Sequence, residues 1–206
     1  MGLRWSRQDR GIRRYERELV SPIERNHALP SPSPLGASTT PVSPTVVPPS
    51  RESERQRLRS LLRTGLLDSP EEERFNHLTR EAQTRFGVHT AIISFISEDR
   101  QFLKSFVGDL PRNIPRELAF CNTTIGQEET LVVPDMRTDA RFRSHPFVVQ
   151  DPFVRFYAGV PLRGPSGWFV GSLCLVGTSP RDLSAEERGH LRRLAALAEI
   201  EVNTGA

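Results

Sequence analysis

No stretch of this chain approaches the ~18 consecutive apolar residues that a membrane-spanning helix needs, so a spanning protein is excluded. The amino terminus also lacks an apolar core of signal-peptide length, and its first 25 residues are rich in arginine instead. Cysteine is almost absent: Cys121 and Cys174 alone cannot supply a disulfide framework or a four-thiolate zinc site. A net excess of either charge is missing from most of the chain. The net +3 resides in residues 1–50, where seven arginines face four acidic residues, while residues 51–206 hold 21 of each sign. A balanced body removes the electrostatic argument for nucleic-acid binding. There is a single lysine, Lys104, among 206 residues. No phosphate loop, no Gly-x-Ser-x-Gly elbow and no nucleophile beside a base stands out, so no catalytic machinery is expected.

What is present divides at residue 50. Residues 28–50 contain seven prolines and eight Ser or Thr, a composition that cannot bury enough apolar surface to offset the ordering of its backbone. Residues 1–50 therefore read as a disordered tail, Arg-rich and then Pro/Ser-rich, and residues 51–206 as one domain. Leu58, Leu61, Leu62 and Leu66 mark a first amphipathic helix with Ser50 or Ser53 as cap. Ser69 and Pro70 suggest the start of a second helix, whose Phe75, Leu78, Ala82 and Phe86 share one face before Gly87 stops it. Residues 89–97 and 101–107 read as a hairpin, residues 130–133 as a short strand, and residues 155–161 and 168–177 as a second hairpin around a Gly-Pro-Ser-Gly turn. Ser184 and Glu187 form a capping box for a last helix burying Leu191, Leu194, Val202 and either Leu197 or Ala198. The order implies an α+β fold: an antiparallel sheet of five to six strands, terminal helices on one face, and two long loops covering the other.

The chemistry-bearing residues are few. Cys121 and Cys174 read either as a redox pair or as two small apolar core residues. Phe120, Phe142, Tyr157 and Leu173 could line an apolar pocket carrying Cys121, Thr123 and Asp135 as polar groups, and they are equally well explained as plain core. The histidines show no metal-ligand spacing, and His145 in the second long loop is the best placed of them to ligate anything. Lys104 reads as meeting an anionic ligand or, preferably, as a structural ion-pair residue.

Arg57–Phe75, Asp99–Gly108, Phe120-Cys121, Leu131–Asp135, Asp139–Phe142, Arg155–Leu162, Gly171–Val176 and Pro180–Ser184 together resemble the GAF domain, in particular the bacterial subgroup that precedes diguanylate cyclases and sensor histidine kinases. The resemblance covers about 150 residues in the expected order and implies the same sheet-and-helix fold with a pocket on the loop side. It further implies a cytoplasmic regulatory sensor that binds a small molecule of unassigned identity. Such a sensor would pair through its terminal helices and pass its signal to a separate signalling protein. Thr123 stands at the subgroup's histidine position and Gly177 at a common aspartate position, while the cysteine contexts of bilin attachment and of GAF-type methionine sulfoxide reductases are missing. The expectation is thus a stand-alone, non-catalytic sensor, with a thiol redox sensor or reductase using Cys121 and Cys174 as the alternative.

Overall fold

The computed structural model describes residues 50–204, so the tail expected over residues 1–50 lies, apart from Ser50, outside the described residues. Helix α1 (Arg51–Arg63) begins where the Ser50 side chain accepts from the Ser53 amide at 3.1 Å. Helix α2 (Glu73–Phe86) buries Phe75, Leu78, Ala82 and Phe86 and ends on Gly87 in the left-handed region, φ 59°. Its start differs from the sequence expectation. Ser69 caps nothing: it donates to the Leu66 carbonyl and accepts from Lys104, so the chain stays non-helical until Glu73.

Strands β1 (Thr90–Ile96), β2 (Arg100–Val107), β3 (Asn113–Pro115), β4 (Leu131–Val133), β5 (Phe156–Arg163) and β6 (Phe169–Gly177) form one antiparallel sheet in the order β3-β2-β1-β6-β5-β4. The two hairpins, β1–β2 and β5–β6, meet at the β1–β6 pair in the centre. Helix α5 (Ala185–Asn203) opens with the full Ser184/Glu187 capping box. It buries Leu191, Leu194, Ala198 and Val202; Leu197 is about half exposed, so Ala198 is the core residue of the two alternatives.

Helices α1, α2 and α5 pack on one face of the sheet against Ala91, Ile93, Phe95, Phe156, Leu173 and Leu175. On the other face lies a cover, residues 109–154, in which the first expected long loop contains β3, a 3₁₀ turn (Arg116–Leu118) and a one-turn helix, α3 (Phe120–Thr124), and the second contains the one-turn helix α4 (Pro146–Val149), with the expected short strand β4 between them. The cover packs on Ile92, Ile96, Leu103, Tyr157, Cys174 and Val176. Strand alternation assigns these sets: neighbours along a strand face opposite layers. At Ile93/Ser94 the β1–β2 register shifts, and Lys104 and Ser105, although adjacent, both reach the α2 side. Among the described residues no helix is long and apolar enough to cross a membrane.

Candidate functional site

Between the cover and the sheet lies a cavity of about 40 Å³. Its floor is Thr90, Ile92, Gln101, Tyr157, Cys174 and Val176 from the strands; its roof is Ile114, Leu118, Phe120, Cys121, Phe147 and Val154 from the cover, with Leu110 and Pro152 at the sides. The walls are apolar except for Thr90, whose hydroxyl has no hydrogen-bond partner among the described residues, and for one polar end. That volume suits two or three water-sized occupants. Drug-sized ligands take roughly 300 Å³ or more, so a larger guest must displace the cover.

The polar end is a buried network. The sulfurs of Cys121 and Cys174 lie 3.5 Å apart, both essentially inaccessible. Gln101 Nε2 donates to Cys121 Sγ at 3.2 Å and to Ser94 Oγ at 2.9 Å. Tyr157 Oη donates to Cys121 Sγ at 3.5 Å and shares a 2.6 Å hydrogen bond with Thr124 Oγ1. Glycine at 159 makes room for that pair, since a Cβ there would sit 2.5 Å from Tyr157 Oη and 2.8 Å from Thr124 Oγ1. The contact with the Cys174 thiol lowers the Cys121 thiol against the burial that would raise it, with further help from the hydroxyls of Tyr157 and Ser94. The same contact, together with burial, pushes Cys174 well above the usual thiol value. Burial and the neighbouring sulfurs likewise raise the Tyr157 phenol.

Phe120 joins this network to the cover. Its ring packs against Phe142 at 5.6 Å, His145 at 4.4 Å, Phe147 at 6.2 Å and Tyr157 at 5.6 Å between centroids. His145 is the N-cap of α4: its Nδ1 accepts from the Phe147 amide at 3.2 Å. Burial holds its imidazole down at about 4, so it stays neutral and able to accept. An unfolded chain takes up that proton near 6.5, hence stability is lost as pH falls from about 6.5 towards 4. We expect this to cost about 1–2 kcal/mol, after allowing for the ring's partial exposure. The His145→Asn variant, which keeps a capping oxygen but does not titrate, should flatten the slope of stability against pH in that window. Urea denaturation at a series of pH values checks this, and equal slopes would refute it.

Of the residues expected to form a pocket, Phe120, Cys121 and Tyr157 line the cavity. Phe142 lies behind Phe120 rather than on the wall. Thr123 is half-buried and off the wall; the hydroxyl that reaches the network belongs to Thr124. Asp135 closes its own surface turn, accepting from Arg137 at 2.7 Å, and the Arg137 guanidinium holds its carboxyl at about 2. Leu173 faces the helix layer, because strand alternation turns its neighbour Cys174 toward the cavity. Gln101 and Ser94 escaped sequence reasoning. Their signal was a small or polar residue inside an otherwise apolar strand, which demands a buried partner.

A six-stranded antiparallel sheet thus carries terminal helices on one face and a cavity under a loop cover on the other, and the family match that follows makes this a sensory or regulatory module. Residues 70–202 match the sequence model of the GAF domain, and the chain belongs to that family. It is 34% identical over 158 residues to a cyclic di-GMP phosphodiesterase of Pseudomonas aeruginosa, covering 76% of this chain but 27% of that protein. The chain thus spans about a quarter of that relative's length. Among solved structures, a type II free methionine-R-sulfoxide reductase from Thermoplasma acidophilum superposes with a TM-score of 0.53 at 12% identity, covering 74% of this chain and 96% of that one. The GAF domain of an Acinetobacter phosphoenolpyruvate-protein phosphotransferase gives 0.52 at 16% identity, over 71% and 92%. These two share the fold. The expectation that the chain is not an enzyme does not stand: the relative to which it is 34% identical is named a phosphodiesterase.

Proposed function

We propose that this GAF domain is a cytoplasmic sensor that admits a small, largely apolar molecule between cover and sheet and reports it through its terminal helices. The observation that carries this reading is the cavity itself, apolar on most of its wall and hydrogen-bonding at one end, the pattern of a small-molecule site. An ion-pair chain links the cover to α1. Arg116, in the 3₁₀ turn, donates to Glu54 at 2.6 Å and to the Ser97 carbonyl at 3.1 Å; Glu54 in turn accepts twice, at 2.8 Å, from Arg57, which donates to the Ile96 carbonyl at 2.7 Å. Despite the desolvation that would raise it, the two guanidiniums hold the Glu54 carboxyl at about 2. A guest that lifts the cover therefore pulls on a terminal helix. Leu62 on α1 and Leu197 and Ile200 on α5 are exposed, and they offer the contact through which a second copy or a downstream signalling protein receives the change. Two free thiols suit a reducing compartment.

Native mass spectrometry and an absorption spectrum of the full chain purified from cytosol test the reading, together with thermal shifts against a panel of small apolar molecules. A bound mass or a raised melting point should be present in the parent protein and lost in Val176→Phe, which fills the cavity floor. Parent and variant that respond identically across the panel would overturn it.

A further inference from the structure

We propose that Cys121 and Cys174 are a peroxide-responsive dithiol switch, in which a small hydroperoxide oxidises the pair to a disulfide that ties α3 of the cover to the central strand β6. The geometry points to it independently of any cavity ligand. The two sulfurs are 3.5 Å apart although 53 residues separate them in the chain, and they belong to the two bodies that enclose the cavity. Both line the cavity wall. A small uncharged oxidant thus has an apolar approach to them, while the near-complete burial of both residues keeps bulky reagents away.

The pair is also asymmetric. Gln101 and Tyr157 both direct hydrogen bonds at Cys121 Sγ, and a sulfur that accepts from several donors is the one that gives up its proton. Cys121 is therefore the attacking thiolate and Cys174 the resolving thiol. The Cys121 sulfur attacks one oxygen of the hydroperoxide, the O–O bond breaks, and the departing oxygen takes the proton that Cys121 released and leaves as water or an alcohol. Cys121 is left as a sulfenic acid. The Cys174 sulfur then displaces that hydroxyl, the S–S bond forms, and the hydroxyl leaves as water with the Cys174 proton. Two electrons pass from the thiols to the peroxide.

A disulfide needs its sulfurs about 2.05 Å apart, so oxidation draws α3 toward the sheet. Phe120, adjacent to Cys121, moves with it and disturbs its packing against His145, Phe147 and Tyr157. The oxidised and reduced forms consequently present different cavities.

The full chain, reduced and freed of reductant without air, is treated with hydrogen peroxide, then unfolded and alkylated. The intact mass should fall by about 2 Da, the loss of two hydrogens, and reducing agent should restore it. Trypsin should release residues 117–137 joined to residues 164–181. The melting temperature of the oxidised form should rise by about 5 °C or more, as expected for a closed loop of this length. In Cys174→Ser, peroxide should leave a dimedone-reactive sulfenic acid on Cys121. Both cysteines recovered as alkylated thiols from folded, peroxide-treated protein would show two inert core residues and overturn the proposal. Separate sulfinic acids with no linked peptide would overturn it too. The readout on the parent protein stands even where the serine variant fails to fold.

Discussion

Alanine at Gly171 is expected to cost upwards of about 3 kcal/mol, a large fraction of the roughly 5–15 kcal/mol that holds a domain folded. Gly171 lies opposite Phe95 in the β1–β6 pair at the centre of the sheet. A Cβ built there would stand 2.0 Å from the Ser94 carbonyl oxygen and 2.9 Å from Phe95 Cδ1. Neither can yield cheaply: the carbonyl is part of the backbone of a central strand, and the Phe95 ring is fully buried among the helix-layer side chains. The strain would also reach the site, because the Ser94 hydroxyl anchors the Gln101 amide that donates to Cys121. Urea denaturation followed by circular dichroism measures the cost. Gly189→Ala is the matched control: the added methyl sits on α5 with its nearest neighbour, Arg193 Nη1, 3.6 Å away. It should stabilise by about 0.5–1 kcal/mol through helix propensity alone. A Gly171→Ala protein that melts with its parent would show that the central strands can separate where the geometry says they cannot.

The second large effect is expected at the sole lysine. Lys104 Nζ is completely buried and donates to Ser69 Oγ at 2.5 Å, the Pro70 carbonyl at 2.6 Å and Glu72 Oε1 at 2.5 Å, with the Phe75 ring 5.4 Å away. Three acceptors for three ammonium protons is a closed account. Removing the ammonium takes the donor from the Pro70 carbonyl and from the Ser69 oxygen, although Ser69 keeps its own bond to the Leu66 carbonyl. Glu72 is about one-third exposed and also paired with Arg74, so water and Arg74 recover part of its loss. Against the burial that would raise it, Arg74 and Lys104 hold the Glu72 carboxyl below its usual range. Lys104→Met, which keeps the stem and drops the charge, should therefore destabilise by about 2–4 kcal/mol. Arginine should not rescue it, because a planar fork cannot reproduce the three donor directions of an ammonium bound to these three acceptors. A methionine variant within about 0.5 kcal/mol of its parent in the same denaturation assay would mean that the nest contributes specificity rather than stability.

These two residues show where local reading of the chain stops. Lys104 was visible as an oddity of composition, and an ion-pair role was the preferred reading, but its partners lie more than thirty residues away on a segment whose own signals pointed to a helix start. Ser69 followed by Pro70 and glutamates satisfies every local rule for an N-terminus, yet the buried ammonium takes the Ser69 oxygen and the Pro70 carbonyl. The helix begins at Glu73 instead. One long-range demand for hydrogen bonds outweighed a local preference worth about 1 kcal/mol.

Periodicity, caps and turns, all properties of neighbouring residues, were sufficient for the helices α1, α2 and α5, both hairpins, the Ser184/Glu187 box and, through the ordered short motifs, the GAF family. The site was legible only in part. Phe120, Cys121 and Tyr157 were found as lining, whereas Leu173 was placed on the wrong face and Thr123 one residue from the hydroxyl that matters. Facing in a strand has a period of two residues, so a shift of one position exchanges core and cavity, and the register that decides it is set by partners far along the chain. The same holds for the pair of sulfurs: composition showed two cysteines in apolar surroundings, and the packing of α3 on β6 brought them to 3.5 Å. Local chemistry thus determined which elements form, and tertiary packing decided which side chains meet, because burial and contact are properties of the assembled sheet and cover rather than of any segment.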